Sequence, residues 1–428
     1  MIYNFLFNNK SFEADYYFCD QIIIESSLIF NNEIDYSFPS SCDKEPYFLG
    51  FKNFSNVFNE GYNYQSRPLF VGSVYILNLI FSKLFFMSGD LSIHLALISY
   101  HLIIANICLY IFLKILNIKN IKINEYVIYI SFILLSPIFK WGLFVPSHQT
   151  NSFLLILLTL LVLKNENHLM ENKTFLLFGI YYLMYRPTLV TLAIFIFYQV
   201  IRREQYRNLA TKSFIFFVPN LVYKTTLYFI NGPLRDEQLD YWGEFGWLKN
   251  YLVRPVNYLS QNILGKPLIE YRNYSSDWHC TSIPENFICY FGDTLKVVQY
   301  LLLPLILVVL WYTLNSKFST RSINKHIVIS FMFFYFFWSL IGWYTPLRFN
   351  LYTVGNLILI FMLLMVINEK SLKNKLVLLL FYGTYFIPLK HWNYNNFQNL
   401  EHISIASLII FGFISISLIF KSKFKNGN

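Results

Sequence analysis

The sequence predicts an all-α polytopic membrane protein with about eleven transmembrane helices, and three observations lead there. Long apolar runs recur from residue 69 to residue 420. Only 14% of the 428 residues are charged, against about 25% in soluble domains. The charges are also segregated. Residues 1–68 hold nine Asp/Glu against four Lys/Arg, and residues 231–296 hold eight against six. The positive excess that makes the net charge +10 sits mostly in short links between apolar runs. Basic residues collect in short links kept on the cytoplasmic side of a membrane. The positive balance therefore reads as topology, and nucleic acid is excluded as a partner.

Four regions follow. Residues 1–68 form a first extracytoplasmic segment with an acidic motif. It contains no spanning run, and residues 22–30 read as a short amphipathic helix on the membrane surface. Either a twelfth helix has been lost from upstream of Met1, which would explain how this segment reaches the outside, or the segment is cytoplasmic and the orientation is reversed. Residues 69–230 form an N-terminal bundle. Its spans are 69–87, 92–113 and 126–139, then 152–163, which borrows length from 146–151. The long run 174–200 is interrupted by Arg186-Pro187, so it is one kinked helix or two half-helices meeting at the proline. The last span is 212–230. Residues 231–296 form a large polar, aromatic loop, and 297–428 form a C-terminal bundle with spans 297–314, 326–343, 351–367, 375–389 and 403–420.

With 174–200 counted as a single span, parity places both acid-rich segments on one side. The Arg202-Arg203 link, the 317–325 and 370–375 links and the Lys421–Lys425 tail then share the other. One link disagrees: Lys114, Lys119 and Lys122 face outward on this count. If the acid-rich segments are outside, Cys19 with Cys42 and Cys280 with Cys289 form disulfides or stay as thiols.

Among residues that carry chemistry, Glu13, Asp15 and Asp20 lead. They sit between aromatics in Phe12–Asp20. A carboxylate at a membrane surface serves as a general base toward a hydroxyl or as a ligand for a divalent cation such as Mg or Mn. The same spacing also suits a solvated acidic loop. Arg186, Lys224, Arg348 and Arg67 form a second set. A charge inside a bilayer costs roughly 2.5–3.5 kcal/mol, so it tends to have a partner or a ligand. A phosphate suits a guanidinium, which grips it with two bonds; snorkelling to headgroups is the alternative. Asp277 and His279, on either side of Trp278, are candidates for sugar binding in the large loop, as are Asp236, Glu237 and Asp240. His148 and Gln149 are positioned to line a cavity. His94 and His101, two turns apart, read as packing or hydrogen-bonding residues and not as a metal pair.

Three stretches carry a family resemblance. Glu13-Ala14-Asp15-Tyr16-Tyr17-Phe18 resembles the acidic "DDAYYY" stretch of the first outer loop in GT-C-type integral-membrane glycosyltransferases. Asn59–Phe70 is similar to the "NG…PL" start of their second helix, and Tyr344–Tyr352 to their late "RY" segment. With the span pattern, the likeness covers most of the chain. It implies a GT-C-like bundle that takes a sugar from a polyprenyl-phosphate carrier and passes it to a glycan or lipid acceptor at the outer face of the plasma (inner) membrane. It also implies Asp15 as base or metal ligand, Glu13 in the preceding acidic slot and Arg348 on the carrier phosphate. The family often has two adjacent acids; here Ala14 separates them, which leaves open which one acts. Two other functions fit the same pattern. Arg235…Gly246 and Arg254…Gly265 suit a polymerase- or ligase-like enzyme acting on lipid-linked glycans. A lipid-linked glycan transporter needs polar residues at mid-membrane in broken helices.

Overall fold

A computed structural model describes residues 20–24, 36–40, 44–59, 67–85, 89–136, 138–139, 148–231, 326–327, 329–335 and 351–385. Apart from one hairpin, the regular elements among them are helical. The hairpin pairs β1 (Asp20–Ile24) antiparallel with β2 (Tyr36–Ser40). This corrects the start of the expected surface helix at 22–30: Ile22–Ile24, a β-favouring run, is extended.

α1 (Lys44–Lys52) and a 3-10 turn (Phe54–Phe58) precede α2 (Pro68–Leu84). Pro68 opens α2, where its fixed φ suits a helix start and its missing N–H is not needed. α2 runs antiparallel to α3 (Gly89–Ile115): the Ser92 hydroxyl donates to Asn78 at 2.7 Å, and the Phe70 ring meets Tyr100 at 5.2 Å. The first residues of α2 are thus level with the middle of α3. α3 ends at Asn117, whose φ of 59° is the left-handed conformation that asparagine tolerates. Lys164 Nζ caps that end, donating to the Ile115 carbonyl at 2.6 Å, where the helix dipole favours a cation.

α4 (Ile123–Leu135) turns back along α3. Its first-turn Glu125 accepts from the Lys122 N–H at 3.4 Å. α5 (Asn151–Lys164) starts level with Tyr100 and ends beside Ile115. Of its expected extension over 146–151, Asn151 is helical, 148–150 are a bend and turn, and 146–147 lie outside the described residues.

The run 174–200 is two helices, α6 (Asn172–Tyr182) and α7 (Thr188–Ile201), with Arg186 and Pro187 in the turn. They fold back on each other. Phe195 of α7 packs on Phe175 and Phe178 of α6 at 5.8 and 5.0 Å, and Gln199 Nε2 donates to the Leu169 carbonyl at 2.5 Å. Counting this run as a single crossing is therefore corrected.

α8 (Tyr206–Asn231) tolerates Pro219 in its interior. It passes close to α6 at Gly179 and reaches Phe58 through Tyr223. A π-helical turn (Leu351–Gly355) leads into α9 (Asn356–Asn368). Asn356 Nδ2 donates to Ser152 Oγ at 3.0 Å, so α9 also starts level with the first turn of α5. α10 (Leu372–Tyr385) lies along α4, with Lys375 at Glu125 and Tyr382 at Phe132.

These contacts divide the bundle by depth. The links after α3, α5, α7 and α9 share one end, carrying Lys114, Lys119, Lys122, Lys164, Arg202, Arg203 and Lys370. The Lys114–Lys122 link thus joins the other basic links instead of opposing them. What reads as three crossings between it and Arg202 is two there-and-back helix pairs, α4 with α5 and α6 with α7. At about 1.5 Å per residue, each of these helices covers only part of the length of α3. Among the described residues, two helices, Leu91–Ile115 and Tyr206–Ile230, are long and apolar enough to cross a membrane, and five further apolar helices are shorter. The expected spans 297–314 and 403–420 and the loop 231–296 lie outside the described residues.

Candidate functional site

Side chains fill the bundle as two apolar clusters, one around α1–α5 and α9, the other around α5–α8. A seam of buried polar residues runs across their junction at the depth where α2, α5, α7 and α9 begin. Its centre is His148, just before α5. Tyr47 of α1 lies 2.9 Å from His148 Nδ1, and Arg67, at the start of α2, donates from Nη1 to the Tyr47 hydroxyl at 3.2 Å. On the other side, Gln149 Nε2 lies 3.2 Å from His148 Nε2, and the Tyr185 hydroxyl donates to Gln149 Oε1 at 3.2 Å. Tyr47, His148, Gln149 and Tyr185 are all at most 6% exposed. Arg186 follows Tyr185 in the α6–α7 turn.

A second row supports the first. The Asn151 side chain donates to the His148 carbonyl at 2.8 Å and accepts from Tyr100 at 3.0 Å and Tyr181 at 3.3 Å. His101 Nδ1 is 2.9 Å from Thr150 Oγ1, and His94 sits edge-on to Phe48. Both histidines pack and bond as expected. Buried polar groups this well connected hold one another in a single arrangement. The seam therefore holds the Arg67 guanidinium and the Tyr47 hydroxyl in place, with Arg186 next in sequence to the bonded Tyr185.

Arg67 and Arg186, 119 positions apart in the sequence, lie at opposite ends of the hydrogen-bonded row through His148, one bonded to Tyr47 and the other next in sequence to Tyr185. The structure does not bring Lys224 with them: that lysine is on α8 beside Tyr223, toward the end where Phe58 packs. Asp20 opens β1 opposite Ser40. Glu13, Asp15, Asp277, His279 and Arg348, with the four cysteines proposed to pair, lie outside the described residues. Among the described residues no group of three His, Cys, Asp or Glu is placed to hold a metal ion. Sequence reasoning passed over Tyr47, Tyr100, Asn151, Tyr181, Tyr185 and Asn356. The available signal was polar residues at the first position of otherwise apolar helices, Asn151 and Asn356 in particular. No family model, curated protein or solved structure matches the chain.

Proposed function

We propose that the protein is a multi-pass membrane glycosyltransferase. It moves a sugar from a polyprenyl-phosphate carrier to a glycan or lipid acceptor at the face opposite the basic links. The observation that carries this reading is the hydrogen-bonded row through His148, with Arg67 at one end and, at the other, Tyr185 followed by Arg186. Two half-buried arginines on one such row suit a phosphate. They act most strongly as negative charge gathers on the phosphate while its bond to the sugar breaks. The basic links at one end support a cytoplasmic assignment for that end, which leaves α1 and the far end of α8 toward the exterior. The exposed apolar residues Phe214, Val222 and Phe229 on α8, and Ile103, Ile107 and Tyr110 on α3, support lipid contact. Asp15, with Glu13 and Asp20 as neighbours, takes the base role toward the acceptor hydroxyl.

The test is sugar transfer from polyprenyl-phosphate donors by protein reconstituted in liposomes, with Asp15→Asn and Arg186→Gln as controls. Transfer lost in both, with normal insertion, supports the reading; an unimpaired Asp15→Asn protein removes the base. A second reading is supported by the depth of the seam. Helices that begin at mid-bundle beside cationic side chains also suit a carrier of lipid-linked glycans. Flux of such a glycan without covalent product would favour it.

A further inference from the structure

We propose that the joint between the first turns of α4 and α10 binds an anionic phospholipid, its headgroup at Lys122, Lys370 and Lys373. This rests on the membrane reading above and adds a lipid partner at the end of the bundle away from the seam. The placement follows from one short bond. Lys375 Nζ donates to Glu125 Oε1 at 2.6 Å, which sets the start of α10 against the start of α4. Lys122 directly precedes α4, Lys370 lies in the link before α10, and Lys373 is in the first turn of α10. The bond therefore gathers three exposed lysines from two links. Lysines outnumber acids at this joint, and the acids are engaged. Glu125 accepts from Lys375 and from the Lys122 N–H, and Glu369 accepts from the Ser371 N–H at 3.0 Å.

Next to the lysines, both helices turn apolar side chains outward. On α4 these are Ile123 and Val127, one turn apart; on α10 they are Leu372, Leu376 and Val377, and all five are exposed. The helices run in the same direction, since Tyr382 meets Phe132 deeper in the bundle, so both apolar strips lead away from the lysines. Cations at the head of an apolar strip match a molecule with an anionic head and hydrocarbon chains. A soluble polyanion would leave the strips in water, and a zwitterionic lipid would bring its own cation to the lysines. Lysine also suits the position, because its stem lies along acyl chains while the ammonium reaches a headgroup phosphate. Near a membrane surface each lysine favours anionic lipid by roughly fivefold.

The test uses the full chain in neutral detergent, titrated with dioleoylphosphatidylglycerol, with dioleoylphosphatidylcholine and with glycerol phosphate, and read as bound lipid by native mass spectrometry. The parent should retain phosphatidylglycerol at least about tenfold better than phosphatidylcholine. The triple variant Lys122→Gln, Lys370→Gln, Lys373→Gln should bring the two lipids near parity with its melting temperature in lipid-free detergent unchanged. Arg203→Gln with Arg207→Gln, at another link of the same end, should keep the preference. Equal loss in both variants would make the preference a general effect of surface charge and overturn the joint as its site; a preference kept in the triple variant overturns it as well. Displacement of the lipid by glycerol phosphate at equal concentration would show a free-anion site, and a dimer that excludes the lipid would assign the face to a second copy; either overturns the proposal. A chain released from membranes by alkaline extraction fails the membrane reading itself, whereas an inserted chain without the preference fails the lipid site alone.

Discussion

The bundle treats its charges in opposite ways at its basic end and at its middle. At the basic end, Lys375, 3% exposed, lies 2.6 Å from Glu125 and 2.8 Å from the Tyr129 hydroxyl, tying α10 to α4. Opposite charges meet there, and the result is a latch between helices. At mid-depth, two like charges belong to one hydrogen-bonded row across the joint between the two apolar clusters, Arg67 on Tyr47 and Arg186 next to Tyr185. Gathering like charges costs stability, and a fold bears that cost where a site needs it. The comparison separates a contact that holds the bundle together from one held in place by it.

Removing charges should affect the two regions in opposite currencies. The largest effect is expected in the middle: Arg67→Ala with Arg186→Ala should weaken polyprenyl-phosphate binding by about two to four powers of ten, at about 1.5–3 kcal/mol for each charge-assisted bond. The melting temperature in detergent should hold or rise. A clear drop in melting temperature would make the seam a second latch. Gly179→Ala tests the helix packing around it. A Cβ there would overlap the Phe216 carbonyl of α8, so stability should fall by about 1–3 kcal/mol, read as a lower melting temperature.

At the latch, Glu125→Gln should cost about 2 kcal/mol, since it leaves Lys375 buried with Tyr129 as its remaining latch partner and the glutamate is partly exposed. Polyprenyl-phosphate binding should not change. The same pair predicts a pH dependence. The hydrogen bond from Lys375 holds the Glu125 carboxyl below the usual range. A depressed acid adds stability above its unfolded pKa of about 4.3 and loses it as pH falls through the lower folded value. The difference in melting temperature between parent and Glu125→Gln should be full at about pH 6 and shrink below about pH 4. The smallest effect is expected from Tyr100→Phe, which removes one bond to Asn151 and should cost about 1 kcal/mol.

Much of the helical layout was legible in sequence. The apolar runs at 69–87, 92–113 and 212–230 became α2, α3 and most of α8 with small shifts at their ends. Arg186-Pro187 marked the break in 174–200, because proline cannot continue the hydrogen-bond ladder. Whether the chain then carried on or reversed was not legible. That outcome depends on Phe195 finding Phe175 and Phe178, contacts no local pattern encodes. The short run 152–163 was itself informative: it was short because α5 begins at the seam, and adding upstream residues to lengthen it hid that. Arg67 and Arg186 could be named as candidate cations from sequence. Their place on one row could not, since Tyr47, His148 and Tyr185 come from three distant stretches.

The fold-back at Arg186-Pro187 also bears on how such a chain is made. From Lys122 to Arg202, the chain leaves the basic end and returns to it twice. Under the membrane reading, no lysine-rich link in that stretch needs to be carried through lipid during synthesis. Each pair of short helices can enter the bilayer from the side of the ribosome as a closed hairpin, its tip going in first. The tip of the second pair brings Arg186 with it, so the guanidinium can reach its place beside Tyr185 by the act of insertion itself.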